Sequence, residues 1–158
     1  MAIKYAIDKH AICFQSKIAS AISGHILNMH LQGDLDNGTV RGVGDYVSFD
    51  GYKDAAADAG FKAKIVDKAA NGNWYVQVTE INVNKPSVLI DEVVVIPENY
   101  TREFSDPANF YNKAGDVVRG YVLQPLDIFE LSDEGFTGNA PAVGKALTAN
   151  AAGKLVVA

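Results

Sequence analysis

Alternation of apolar and polar residues is clearest in the middle of the chain. Over residues 61–68, Phe61, Ala63 and Ile65 fall on one face and Lys62, Lys64 and Val66 on the other. Residues 74–81 return with Trp74, Val76 and Val78 on one face, after an Asn71-Gly72 turn. Period two on both sides of Asn-Gly predicts a β-hairpin. Pro86 resets the chain, and residues 87–96 (SVLIDEVVVI) form a continuous β-branched run. That run predicts a buried strand, or two strands joined at Asp91-Glu92. In the last third, strands are predicted near residues 116–123, 127–131, 143–148 and 154–157, separated by Pro125, Gly135, Gly138, Pro141, Gly144 and Gly153.

The first 32 residues carry a different pattern. Ile12, Phe14, Ile18, Ala19, Ile22, Ile26 and Leu27 recur at spacings of three and four, which predicts a helix within residues 11–22. The abundance of isoleucine, and Gly24, leave open an extended arm of short strands lying on another surface. Asp34-Leu35-Asp36-Asn37-Gly38 reads as a tight hairpin turn. Residues 39–49 read as one or two short strands, in which Gly42 and Gly44 allow a bulge or a close backbone approach. The alanine-rich residues 53–59, closed by Gly60, predict a helical turn or two. Val40-Arg41-Gly42 and Val118-Arg119-Gly120 form a weak internal echo that no fixed period extends.

Together these elements predict a mainly β fold, a β-sandwich or small barrel, with one or two short helices and an N-terminal arm. Residues 1–32 form the arm or helix-containing segment. Residues 33–158 form a single β-rich domain, closed by a C-terminal module over 114–158.

Composition narrows the function classes. A length of 158 residues suits one domain with a sizeable core and no disulfide staples. The net charge of −5, with basic residues scattered singly, argues against nucleic-acid binding, which needs clustered Lys and Arg. Acidity instead suits a basic protein surface. Cys13 is the single cysteine, so no intrachain disulfide is possible, as fits a reducing cytoplasm. Asp8, Lys9 and His10 interrupt any apolar core of a signal peptide, and no apolar run approaches the roughly 20 residues of a membrane span. The expectation is a soluble, unprocessed protein without a membrane partner.

Candidate chemistry is sparse. His10, Cys13, His25 and His30 have a spacing reminiscent of a zinc finger with its first cysteine replaced. The first Cys-x-x-Cys is absent, so Cys13 reads as a small buried residue and the histidines as surface groups. Asp34-x-Asp36-Asn37-Gly38 mimics the opening of a calcium loop, but its glycine arrives early and the bidentate glutamate is missing. Asp91-Glu92, Asp127, Glu130 and Asp133-Glu134 are the carboxylates a small hydrolase would draw on. They sit beside turns and between apolar runs, where charge marks a solvated face. No nucleophile elbow, phosphate-binding loop or dinucleotide fingerprint is present. The expectation is a protein that is not an enzyme and holds no cofactor or metal.

Residues 97–113 lack periodicity and carry Tyr100, Phe104, Phe110 and Tyr111. Such rings serve either as interface anchors or as an inward-folded cap on an open β end. With Ile12, Phe14 and Ile18 of the first segment, they are the candidate partner contacts.

Residues 114–158, AGDVVRGYVLQPLDIFELSDEGFTG followed by PAVGKALTANAAGKLVVA, carry a resemblance. The motifs are Gly115-Asp116-Val117, Gly120-Tyr121-Val122-Leu123, Asp127-Ile128-Phe129, and Val143-Gly144-Lys145 with Gly153-Lys154-Leu155-Val156-Val157. This stretch resembles the C-terminal module of small head-decoration (capsid auxiliary) proteins of tailed bacteriophages. The resemblance covers under a third of the chain, in motifs of glycine punctuation and apolar strands. It implies a non-enzymatic virion protein, made in the host cytoplasm, that binds the major capsid protein on the capsid exterior and stabilises the shell. Self-association on that shell is part of the expectation. A head-fibre, neck or tail component is the alternative within the virion, and a carboxylate hydrolase the alternative outside it.

Overall fold

The period-two segments become strands, and the strands sort into two sheets. The computed structural model describes residues 9–56, 60–96 and 106–158. In chain order, β1 is Cys13–Lys17, α1 is Ala19–Ser23, β2 is Ile26–His30, β3 is Val40–Val47 and β4 is Gly51–Ala55. Then come β5 at Lys62–Lys68, β6 at Trp74–Glu80, β7 at Ser87–Ile90 and β8 at Val117–Val122. The chain closes with β9 at Ile128–Leu131, β10 at Phe136–Gly138, β11 at Ala146–Ala149 and β12 at Leu155–Val157. Two single 3-10 turns lie at Pro107–Asn109 and Asp133–Gly135.

The expected mainly β architecture with short helices is the one the chain adopts, and it contains both a barrel and an open sheet. Strands β2, β4, β3, β7 and β8 close a five-stranded barrel, while β1, β9, β6, β5, β11, β12 and β10 form a seven-stranded sheet in that order. Among the described residues, only the β2–β4 and β10–β12 neighbours are parallel. Met29, Leu31, Leu35, Val88, Ile90 and Val118 fill the barrel. A larger core joins the sheet's inward residues, among them Phe61, Ile65, Val76 and Phe129, to Val40, Leu89, Tyr121 and Leu123 of the barrel wall. This explains the uninterrupted apolar run at β7. Val88 and Ile90 face the barrel interior and Leu89 the sheet, so no position in the strand is left to solvent.

The predicted hairpin forms as β5 and β6, with Gly72 in the turn at φ 93° and Phe61, Ala63, Ile65, Val76 and Val78 buried. The C-terminal strands also form, and β10 adds a short one the alternation did not show.

Three local expectations are corrected. The helical spacing over residues 11–22 comes from joining a strand, a bulge and one helical turn. Ala11 and Cys13 are buried at period two, the β1–β9 register shifts between Phe14 and Lys17, and Ser16 has φ 35°. Only α1 is helical, closed by Gly24 at φ 72°, whose N–H donates to the Ser20 carbonyl. The described part of the first 32 residues is thus strand-paired into both sheets, β1 to β9 and β2 to β4 and β8. The alanine-rich stretch from Lys53 is strand through Ala55, and residues 57–59 lie outside the described residues. Pairing with β3 and the inward turn of Asp54 override its helix propensity. Asn37-Gly38 is a turn, but it joins no hairpin, because β2 pairs with β4 and β8 instead of β3.

The echoed triplets both lie in strands that flank β7, but at opposite ends of it, Gly42 against Ser87 and Gly120 against Ile90. In each, the arginine meets a carboxylate, Arg41 with Asp54 at 2.7 Å and Arg119 with Glu92 at 3.7 Å. In each, the glycine sits where a Cβ would collide. At Gly42 it would meet the Ala56 carbonyl oxygen at 2.9 Å, and at Gly120 the Met29 Cγ at 2.6 Å. At Gly120, which faces the barrel interior, five strands leave no room for another methyl.

Candidate functional site

Strand polarity defines two ends of the barrel. At one end β3 and β8 finish and β2, β4 and β7 begin; at the other the directions reverse.

The first end is made of turns. The β3–β4 turn is closed by the Asp50 N–H donating to the Val47 carbonyl at 3.2 Å. Its apex residue Phe49 has φ 72° and is 100% exposed. The turn after β8, Gln124 to Asp127, is closed by Asp127 N–H to Gln124 O at 3.1 Å. Leu126, following Pro125, has φ 77° and is 74% exposed. In a type II turn this position favours Gly or Asn, because a Cβ in the left-handed region costs roughly 1–2 kcal/mol. Both positions therefore combine backbone strain with an exposed large apolar side chain. Folding stability accounts for neither residue. Ile22 on α1 and Ile26 at the start of β2 add exposed apolar groups to the same end. Sequence reasoning missed Phe49 and Leu126. The signal was present as Phe49 before Asp50-Gly51 and Leu126 after Pro125, apolar residues inside turn signatures.

The second end carries a groove of about 680 Å³, lined by residues 92–96 on one side and 109–118 on the other. Val93, Val95, Phe110, Tyr111 and Val117 supply its apolar surface. A buried amide pair anchors its rim. The Asn37 Nδ2 donates to the Glu92 carbonyl at 2.9 Å, and the Glu92 N–H donates to Asn37 Oδ1 at 3.0 Å. Asn112 Nδ2 donates to the same Oδ1 at 2.9 Å. Tyr111 stacks on His10 with centroids 4.8 Å apart, and His10 Nδ1 lies 2.7 Å from Asp36.

The sequence-predicted contacts divide accordingly. Phe110 and Tyr111 meet in the groove, both half-buried. Tyr100 and Phe104 lie outside the described residues. Phe14 is half-exposed on β1 and Ile12 half-buried beside it. Ile18 is a correction: it is buried in the main core, because the β1 bulge turns it inward.

The candidate carboxylates hold loops. Asp127 accepts from the Ala19 and Gln124 N–H groups at 3.1 and 2.8 Å. Glu130 accepts from the side chains of Asn71 and Asn73 at 2.8 and 2.9 Å, tying the β5–β6 turn to β9. Asp133 accepts from the Trp74 indole at 2.7 Å. Asp91 is the exception in its electrostatics. Burial pushes its carboxyl up to about 6, Glu92 adds to the rise, and the Gln15 hydrogen bond and Arg119 oppose it. Cys13, buried in the core near Asp91 and Glu130, is raised for the same reasons, burial first. Among the described residues, no three His, Cys, Asp or Glu side chains converge as a metal site. His10, Cys13, His25 and His30 do not meet.

No family model, curated protein or solved structure matches this chain.

Proposed function

We propose that this protein is a non-enzymatic structural component of a phage virion, docking on the outside of an assembled capsid and stabilising it. The observation that carries the docking role is the pair of turn apexes, where Phe49 and Leu126 are exposed at positive φ. Residues that cost stability in the free protein suit a surface that is buried elsewhere. The resemblance of residues 114–158 to head-decoration proteins supplies the shell as the partner. Asp91, Glu92, Asp127, Glu130 and Asp133 each accept hydrogen bonds from main-chain N–H or side-chain donors, which favours the structural reading over an enzyme.

A large apolar side chain fully buried on docking contributes about 1.5–3 kcal/mol, equivalent to a roughly 10- to 100-fold change in affinity. The test is co-sedimentation of purified protein with undecorated shells, comparing wild type with Phe49→Asn and Leu126→Asn. Asparagine tolerates the backbone, so the variants stay folded while shell binding falls by that factor. Unchanged binding of both variants, or labelled protein confined to a tail or neck site, overturns the proposal.

A further inference from the structure

Beyond β7 the chain leaves its last in-chain strand partner and continues with a β-branched sequence. Along this stretch main-chain bonding alternates in direction. The Ile90 N–H donates to Thr39 O, and the Glu92 N–H and C=O are both taken by Asn37, so even-numbered residues bond toward the β3 side. Asp91 N–H donates to Arg119 O on β8 at 3.3 Å, and Val93 N–H is satisfied by its neighbour's Glu92 carboxylate at 2.9 Å. Past that point, among the described residues, the main-chain groups of Val94, Val95 and Ile96 meet no partner. Val93, Val94 and Val95 are 53%, 40% and 65% exposed. Unpaired N–H and C=O groups in a β-branched segment are a template for another strand.

We infer that residues 93–96 pair antiparallel, across a two-fold axis, with the same residues of a second copy of this chain. Symmetry requires that such a ladder be centred on one residue, because directly opposed pairs alternate between hydrogen-bonded and open. Centring on Val95 sets Val95 against the partner's Val95, and Val94 against the partner's Ile96. The open N–H and C=O groups of Val94 and Ile96 then make the four bonds of the interface. Val93, whose N–H is already bonded to Glu92, faces away from the partner. Every opposed residue is uncharged, so the segment is self-complementary, and Val–Ile and Val–Val cross-strand pairs are favourable. Asn37, by fixing Glu92, holds the segment's start in place before association. Four main-chain bonds alone do not make a dimer; the exposed side chains of Val93, Val94 and Val95 supply the apolar area that joins them.

The test is sedimentation velocity of the purified chain, which is independent of any shell. Wild type dimerises with concentration. Val95→Asp and Val95→Lys each oppose like charges at the axis and weaken dimerisation at least about 10-fold. A one-to-one mixture of the two restores it, because Asp then faces Lys. Far-UV circular dichroism identical to wild type shows that both variants fold, as the exposure of Val95 leads one to expect. A wild type that stays monomeric, variants that dimerise as wild type does, or a mixture that fails to recover overturns the inference. Amide exchange gives a second readout: protection at Val94 and Ile96 rises with protein concentration, and its absence equally overturns the pairing.

Discussion

Replacing Asp91 by asparagine makes the protein more stable at neutral pH. Asp91 sits at the end of β7, 8% exposed, with Gln15 Nε2 donating to its Oδ2 at 3.0 Å. Cys13 and Glu130 lie near it from β1 and β9, Glu92 is its neighbour, and Arg119 faces it from β8. Burial outweighs the Gln15 hydrogen bond, so the folded carboxyl titrates at about 6 against an ordinary value of 3.8. A raised acid binds its proton more tightly in the folded state. Stability is therefore highest below the unfolded value and falls as pH rises through the folded one. Converted at about 1.4 kcal/mol per pH unit, the full penalty above about pH 6 is roughly 3 kcal/mol. Asparagine has nearly the same shape, keeps an oxygen for Gln15, and carries no charge. Urea unfolding at a series of pH values is the assay. Asp91→Asn is expected to exceed wild type by about 2–3 kcal/mol near pH 7.5, with the gap closing toward about pH 4. A variant less stable than wild type near neutrality, or a difference that does not change with pH, refutes the reasoning.

Two further substitutions probe the barrel. Gly120→Ala places a methyl 2.6 Å from Met29 Cγ and 3.3 Å from Val88, so overpacking lowers stability by about 1–3 kcal/mol in the same unfolding assay. Asp54→Ala leaves Arg41, whose side chain is only 12% exposed, without its 2.7 Å partner and frees the Gln32 N–H that Asp54 also accepts. The expected loss is about 3–5 kcal/mol by urea unfolding, and a loss under about 1 kcal/mol contradicts a buried, committed pair.

Legibility followed the range of the interactions. The β5–β6 hairpin was readable because its two strands, Asn71-Gly72 and the alternation of Ala63, Ile65, Val76 and Val78 lie within 20 residues of sequence. Of the run over residues 87–96, only Ser87–Ile90 is the expected buried strand, apolar because it is covered on both faces; residues 91–96 form no strand, and Val93, Val94 and Val95 are exposed. The segment around Cys13 to Ile22 was not, because its apolar residues answer to three different local conformations whose boundaries depend on β9, some 115 residues away. Of the candidate contacts, Phe110 and Tyr111 were found as aromatics in an aperiodic stretch, and the groove gives them a common place. Ile18 was misplaced, since helical spacing says nothing about a bulge. Phe49 and Leu126 were passed over because a turn signature draws attention to its glycine or proline and not to the apolar residue beside it.

By itself, then, the amino-acid pattern determined that this chain is built of strands, where most of them lie, and which faces are apolar. Those properties arise from the two-residue repeat and from turn chemistry, both local. Tertiary structure alone decided that β2, β3, β4, β7 and β8 close a barrel while the remaining strands form a separate sheet, because partner choice rests on contacts between distant segments. It also decided the surroundings of the carboxylates. Asp91 and Asp127 are the same residue type and both are buried, yet one accepts from the Gln15 side chain beside Glu92 and the other accepts from two main-chain N–H groups. The difference is one of hydrogen-bond partners and neighbouring charge, which are set only once the chain has folded.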